Sequence, residues 1–268
     1  MLTTAGSGRP RPLVTPQRAR GWLVAIAVAL LGALLAACSS SARVAETDSV
    51  VGQVPFIDGE RYEYSLVDRD GEVVGTGTFT TDRDDDTWVL TQTYTDTDGV
   101  TVDESRVVVD ATTLQPHSTE RVIVRNGETE VVTGAYETDA DGGRTVQTSR
   151  VVHSRDGGER ERTIDINAYD YEDQSSLWLW RTLALGEGLD ARYTTVDPRE
   201  GGRVTANVVQ IDRQMLETPF GLTYDTWVLQ IRTGRETVNV WVHVDAPHEV
   251  VRFDNGRLFF ELEWAGLR

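Results

Sequence analysis

The chain contains no lysine: its 26 basic residues are all arginine, set against 43 acidic residues, for a net charge of −17 over 268 residues. Without lysine there is no G-x-x-x-x-G-K-[ST] phosphate loop. So acidic a chain is also unsuited to a nucleic-acid backbone or to an anionic membrane surface, and nucleic acid is excluded as a partner. Cysteine occurs once, at Cys38, so no internal disulfide forms. No G-x-S-x-G elbow occurs and no G-x-G-x-x-G opens a helix. The only histidines are His117, His153, His243 and His248. His248-Glu249-Val-Val-Arg252 starts like a zinc-protease signature but carries Arg at the second ligand position. His243 and His248 bracket Asp245 in what reads as a solvated turn, with no patterned third ligand. Three Asp-x-Asp-Gly segments, beginning at Asp68, Asp96 and Asp139, resemble calcium loops, yet the twelfth positions are Phe79, Val107 and Arg150 where Glu is required. Asp82-Arg-Asp-Asp-Asp86 reads as a solvated acidic turn. No metal, no cofactor and no catalytic residue is expected.

What is present begins at the N-terminus. Arg9, Arg11, Arg18 and Arg20 precede the apolar run Trp22–Ala37, whose 16 residues fall short of a membrane span. A basic region followed by such a run reads as a signal peptide over 1–37. The run ends in Leu35-Ala36-Ala37-Cys38, which resembles the bacterial lipobox, where the thiol is acylated and the leader is cut before the cysteine. The four arginines leave with the leader, so the mature chain carries −21 rather than −17. Acyl chains contribute about 0.8 kcal/mol per buried CH₂, so two or three on Cys38 make a stable anchor. The expected location is the extracytoplasmic side of the cell membrane, or the outer membrane of a cell that has one. Residues 38–55 then form the lipidated cysteine and a flexible tether, and 56–268 a single β-rich domain.

Within that domain the dominant period is two. Tyr62, Tyr64 and Leu66 alternate with Arg61, Glu63 and Ser65, and Trp88, Leu90 and Tyr94 oppose Val89, Thr91, Thr93 and Thr95. Asp70-Gly71, Asp98-Gly99, Asn126-Gly127, Asp141-Gly142, Asp156-Gly157 and Asn255-Gly256 punctuate these runs with tight-turn dipeptides. The pattern predicts about fourteen strands in an all-β antiparallel meander that forms one large curved sheet or partial barrel. Asp173–Leu183 breaks the pattern and predicts one short helix, capped by Ser175 or Asp173. Gly75 and Gly77 share a face of one strand and mark a bend or close packing there.

Phe56-Ile-Asp-Gly-Glu-Arg-Tyr-Glu-Tyr64 and Gly75-Thr-Gly-Thr-Phe79 resemble the opening strands of the bacterial domain-of-unknown-function family 3108. Leu114-Gln-Pro116, Leu177-Trp-Leu-Trp-Arg181, Thr218-Pro-Phe-Gly-Leu222, Trp241 and Pro247-His248 follow in that family's order, across about 56–264. The resemblance implies an extracytoplasmic protein with no assigned chemistry. By analogy with the curved half-barrels of lipoprotein carriers it also implies an apolar cavity. Those carriers close the cavity with several helices, and this sequence offers one.

The aromatic residues carry the remaining functional signal. Trp227 and Trp264 share faces with aliphatic neighbours and read as core, whereas Trp241 shares its face with Asn239 and His243, opposite Val238, Val240 and Val242. Trp178 and Trp180 cannot point the same way on a helix. A sheet apolar on both faces must be covered on both, and Trp178, Trp180 and Trp241 are the candidate lining of a ligand cavity, with plain core the favoured alternative. The expectation is a non-enzymatic, lipid-anchored envelope protein, partnered by the membrane and by a lipid or another envelope protein. The alternatives are a carrier or sensor of an apolar ligand, and an envelope hydrolase whose site assembles only in space. Replacing Cys38 by Ala should release the protein from the membrane fraction, and intact mass should show an acylated Cys38 only in the wild type.

Overall fold

The computed structural model describes residues 49–138, 143–153, 157–234 and 236–267. The expected leader, Cys38 and the tether as far as residue 48 lie outside the described residues, as do the Asp139–Gly142 loop and Asp156. Eight strands open the domain: β1 (Glu60–Val67), β2 (Val73–Asp84), β3 (Thr87–Asp96), β4 (Thr101–Asp110), β5 (Pro116–Arg125), β6 (Glu128–Thr138), β7 (Arg144–His153) and β8 (Glu159–Ile166). The three-residue β9 (Asp170–Glu172) leads into a 3₁₀ turn (Asp173–Ser175) and α1 (Ser176–Arg181). The chain then continues through β10 (Asp190–Asp197), β11 (Gly202–Glu217), β12 (Thr223–Thr233), β13 (Glu236–His243), β14 (Val250–Asp254) and β15 (Phe259–Leu267).

These form one sheet in the order β8-β7-β6-β5-β4-β3-β2-β1-β15-β14-β13-β12-β11-β10-β9. Nearly every pair is a hairpin between sequence neighbours. The exceptions are the antiparallel pairing of β1 with β15, which joins the two ends of the domain, and the parallel pairing of β9 with β10. The sheet closes 340° around an axis and leaves one unsealed seam, a near-barrel rather than an open sheet. Closure follows from strand twist accumulating over fifteen strands.

Local sequence explains the hairpins. Asn126 and Gly127 take φ of 52° and 78°, the two positive values of a two-residue turn, so Arg125 and Glu128 pair directly. At the β1–β2 turn the Asp68 carboxylate accepts the amides of Asp70 and Glu72 at 2.9 and 3.0 Å. Asp96 does the same for Asp98 and Val100 at the β3–β4 turn. Those carboxylates are therefore spent on turn backbone, which is why two of the Asp-x-Asp-Gly segments are hairpins. Gly75 faces Asp96 where β2 and β3 approach so closely that a Cβ would stand 2.3 Å from the Thr95 carbonyl.

Two departures from the sequence expectation have physical causes. β9 is too short to show alternation, and it is held by pairing with β10 instead. Neither Ser175 nor Asp173 caps α1: the Ser175 hydroxyl donates to the Glu172 carbonyl at 2.7 Å, and the Asp173 carboxylate is bonded to Thr195. The 3₁₀ turn takes the place of a side-chain cap.

The main core lies inside the curled sheet around α1, joining inward residues of β1–β4 and β10–β15 with Leu177, Trp178, Leu179 and Trp180. A second small cluster of Tyr136, Val146, Ile166 and Val196 spans the seam from β6–β8 to β10. Polar side chains stitch the same seam. Glu130 of β6 receives Arg150 of β7 and Arg199, which follows β10, the latter at 2.9 and 3.1 Å. Arg162 reaches the Glu200 carbonyl at 2.6 Å. Burial alone would raise the Glu130 carboxyl, but Arg150 and Arg199 outweigh it and hold the group at about 2. A carboxyl lowered from its ordinary 4.5 contributes stability above that value and loses it as pH falls toward 2. Acid titration of unfolding free energy should therefore show a steeper loss between about pH 4.5 and 2 in the wild type than in Glu130→Gln; parallel curves would mean that the seam ions do not hold it.

Candidate functional site

Arg181, the last residue of α1, is fully buried, and Glu60 at the start of β1 is nearly so. The guanidinium meets the carboxylate in two bonds, Nη1 to Oε1 at 2.7 Å and Nη2 to Oε2 at 3.0 Å. Arg181 Nη2 also donates to the Pro247 carbonyl at 3.0 Å, and its plane lies 4.9 Å from the ring centres of both Phe56 and Tyr62. Glu60 accepts from the Tyr62 hydroxyl and from Thr81 Oγ1, each at 2.9 Å. Thr81 Oγ1 in turn accepts the Trp178 indole N–H at 2.7 Å. Burial alone would lower Arg181, yet Glu60 holds it above its ordinary value, and burial pushes the Tyr62 hydroxyl far up. Fork geometry of this kind is what makes a buried ion pair tolerable, because the remaining lone pairs and protons are also satisfied.

This network orients α1. Trp178 packs on Phe79 with ring centres 5.6 Å apart, while Trp180 turns toward the opposite wall, donating to Tyr193 at 2.8 Å and meeting Phe253 at 5.7 Å. The two indoles thus point apart, as their spacing requires. Between α1 and the wall remains a cavity of about 170 Å³, lined by Phe79, Tyr94, Leu177, Trp180 and Phe253. Its polar margin is Asp173 and the pair Gln92–Gln174, whose amides meet at 2.5 Å.

Beside that margin lies a second group of buried polar atoms. Glu172 is buried next to Thr119 without a hydrogen bond of good geometry to its carboxyl, and burial with the neighbouring Asp173 pushes it well up. Burial and Asp197 raise Asp173 to about 6. The space between Glu172 and Thr119, about 10 Å³, suits one water molecule.

Of the expected cavity residues, Trp180 lines the cavity, Trp178 is packed away from it, and Trp241 stands on the outer face. There Arg252 lies 5.6 Å over its ring, while Val240 and Val242 of the same strand point into the core. The structure therefore does not bring Trp241 to the other two. Cys38 lies outside the described residues. His243 Nδ1 meets Glu249 Oε2 at 2.9 Å and His248 Nδ1 the His243 carbonyl at 3.1 Å. Among the described residues no group of three or more His, Cys, Asp or Glu is placed to hold a metal. On the outer face of β4–β8 an open groove of about 450 Å³ is walled by Arg106, Glu120, Glu161 and hydroxyl side chains, the wrong chemistry for an apolar ligand. Glu60 and Arg181 were not singled out by motif chemistry. Their only sequence signal is that each sits in a segment carrying the family resemblance.

The family model described as "Protein of unknown function (DUF3108)" matches residues 61–262. The chain belongs to the DUF3108 family. Three of the family-like segments, Gly59-Glu60, the helix ending in Arg181 and the Pro247-His248 turn, meet in this DUF3108 protein at the buried ion pair. No curated protein matches the sequence. Among solved structures, the β-barrel-like DUF1849 protein of Brucella abortus aligns at a TM-score of 0.53 with 13% identity, over 79% of this chain and 99% of that one. It shares the fold. A Bacteroides fragilis protein with a YmcC-like fold aligns over 81% of this chain and 99% of its own, at 12% identity and a TM-score of 0.31, too loosely to say more.

Arg181→Met should destabilise the domain by about 3–5 kcal/mol, because Glu60 is left as an unpaired buried charge. Arg181→Met combined with Glu60→Leu should cost clearly less than the sum of the single changes. Additive losses in denaturant unfolding would show that the two residues are not coupled.

Proposed function

We propose that this DUF3108 protein is a lipid-anchored, non-enzymatic protein of the cell envelope that carries or senses an apolar group in the cavity beside α1. The observation that carries this reading is the cavity itself: about 170 Å³ of space faced by three aromatic rings, a leucine and Trp180, inside a sheet closed except at one seam. The cavity is open on one side, where Gln92, Asp173, Gln174 and Ser176 line it, so the bound portion is a small ring or chain end whose polar head stays at that margin. The Gln92–Gln174 pair and Asp173 at the margin offer hydrogen bonds to a polar head beyond it. α1 is the cover, with Trp180 the side chain in contact with ligand. Anchoring through Cys38 is supported by Leu35-Ala36-Ala37-Cys38 at the end of a short apolar run.

Native mass spectrometry of the full chain extracted from membranes should show an apolar adduct that Trp180→Ala retains poorly. Trp178→Ala, in close-packed core, should cost about 3–5 kcal/mol, and Trp180→Ala less. An adduct-free wild type, with both variants losing stability equally, would leave α1 as plain core and end the carrier reading.

A further inference from the structure

The β11–β12 hairpin extends well past its neighbour on one side. β10 begins at Asp190, opposite Val209, whereas β11 and β12 stay paired as far as Glu217 and Thr223. Past β10 the pairing runs on for seven residues of β12 opposite eight of the bulged β11, about 23 Å at roughly 3.3 Å each, while on the other side β13 flanks β12 as far as Thr226. It ends in Thr218-Pro219-Phe220-Gly221-Leu222, closed by Thr218 N–H to the Leu222 carbonyl at 2.8 Å and Gly221 N–H to the Thr218 carbonyl at 3.0 Å. Gly221 takes the positive φ of 79° that this turn requires. The Asp-Gly and Asn-Gly turns after β1, β3, β5 and β14 lie at the opposite end, where the exposed apolar side chains beside them are the valines Val73, Val74 and Val100, with no aromatic or leucine among them. This turn instead exposes Met215 (65%), Phe220 (47%) and Leu222 (46%). Ile57 and Leu267 are exposed at the same end, beside Glu60.

The described chain also starts at that end. Gly52 N–H donates to the Thr182 carbonyl at 2.8 Å, and Ser49 and Val50 lie against Leu189–Ala191, at the base of the hairpin. Ten residues lie between Cys38 and Ser49, so eleven steps give a contour length of about 38 Å at ~3.5 Å per step. That reach exceeds the projection of the hairpin, so an anchor at Cys38 and the apolar tip can meet one plane.

We propose that the β11–β12 tip dips into the lipid surface to which the chain is anchored, Phe220 and Leu222 foremost; the inference rests on Cys38 being that anchor. A small apolar protrusion of this kind seats at the headgroup boundary. The mature charge of −21 argues against a second copy as the occupant and favours zwitterionic over anionic lipid. With both contacts made, the end of the barrel that carries α1 and the Glu60–Arg181 pair faces the membrane.

Acylation blocks the Cys38 thiol, so the full-length lipidated chain carrying Phe220→Cys has one free thiol for an environment-sensitive fluorophore. Asp98→Cys supplies the control at the opposite end, and Leu222→Cys a second tip position should Phe220→Cys fail to fold by circular dichroism. In phosphatidylcholine vesicles containing nitroxide-labelled lipid, emission from the tip label should fall by about twofold or more and that from position 98 should not change. An acylated protein whose tip label is untouched by nitroxide lipid overturns the inference and leaves the anchor standing. A tip label shielded from aqueous iodide yet untouched by nitroxide lipid also overturns it, since a protein then covers the tip. Labelling of two thiols shows that Cys38 is free, and the anchor and the inference that rests on it both fall.

Discussion

A guanidinium and a carboxylate buried together at one end of the barrel, where α1 meets the start of β1, set the terms for the rest of this structure. Either ion alone would cost several kcal/mol to hold there, so each demands the other in place. The Arg181–Glu60 pair ties the end of α1 to the beginning of β1 and, through the Pro247 carbonyl, to the β13–β14 connection. α1 has six residues, far fewer than an isolated helix needs. It is helical because its indoles, leucines and arginine are each received by a different part of the wall. The plug and the barrel therefore specify one another.

The barrel's two regions are held by different physics. Around α1, closure is apolar, with rings of Tyr64, Phe79, Tyr94, Phe253 and Phe260 meeting one another within 4.0 to 5.9 Å. At the seam, backbone pairing stops and is replaced by the Glu130 arginine cluster, the Arg162 contact and one small group of aliphatic residues around Tyr136. A seam joined by partly buried side-chain ions yields more readily than one joined by a hydrogen-bonded ladder. The cavity lies in the apolar region, and its polar margin at Gln174 and Asp173 belongs to the segment that begins at the seam strand β9.

Much of the fold was legible because period-two alternation and Asp-Gly or Asn-Gly turns act locally. The burial of Trp88 and Leu90 on one face of β3, and the positive φ at Asn126 and Gly127, follow from neighbours within a few residues. The same alternation put Trp241 opposite Val240 and Val242, which is where it lies, although the cavity needed it on the other side. What was not legible is contact between distant segments. Glu60 and Arg181 are 121 residues apart, and neither spacing nor charge pattern links them. β9 is equally silent, because three residues carry no period and its pairing partner lies beyond the helix.

The dependence of the plug on its ion pair is open to direct measurement by native-state hydrogen exchange, comparing wild type with Glu60→Gln. The account predicts that amides of 176–182 and of β1 lose protection in the variant, while the β5–β8 hairpins exchange as before, since they make no contact with the pair. Unchanged protection of α1, or a uniform loss across every strand, would contradict it.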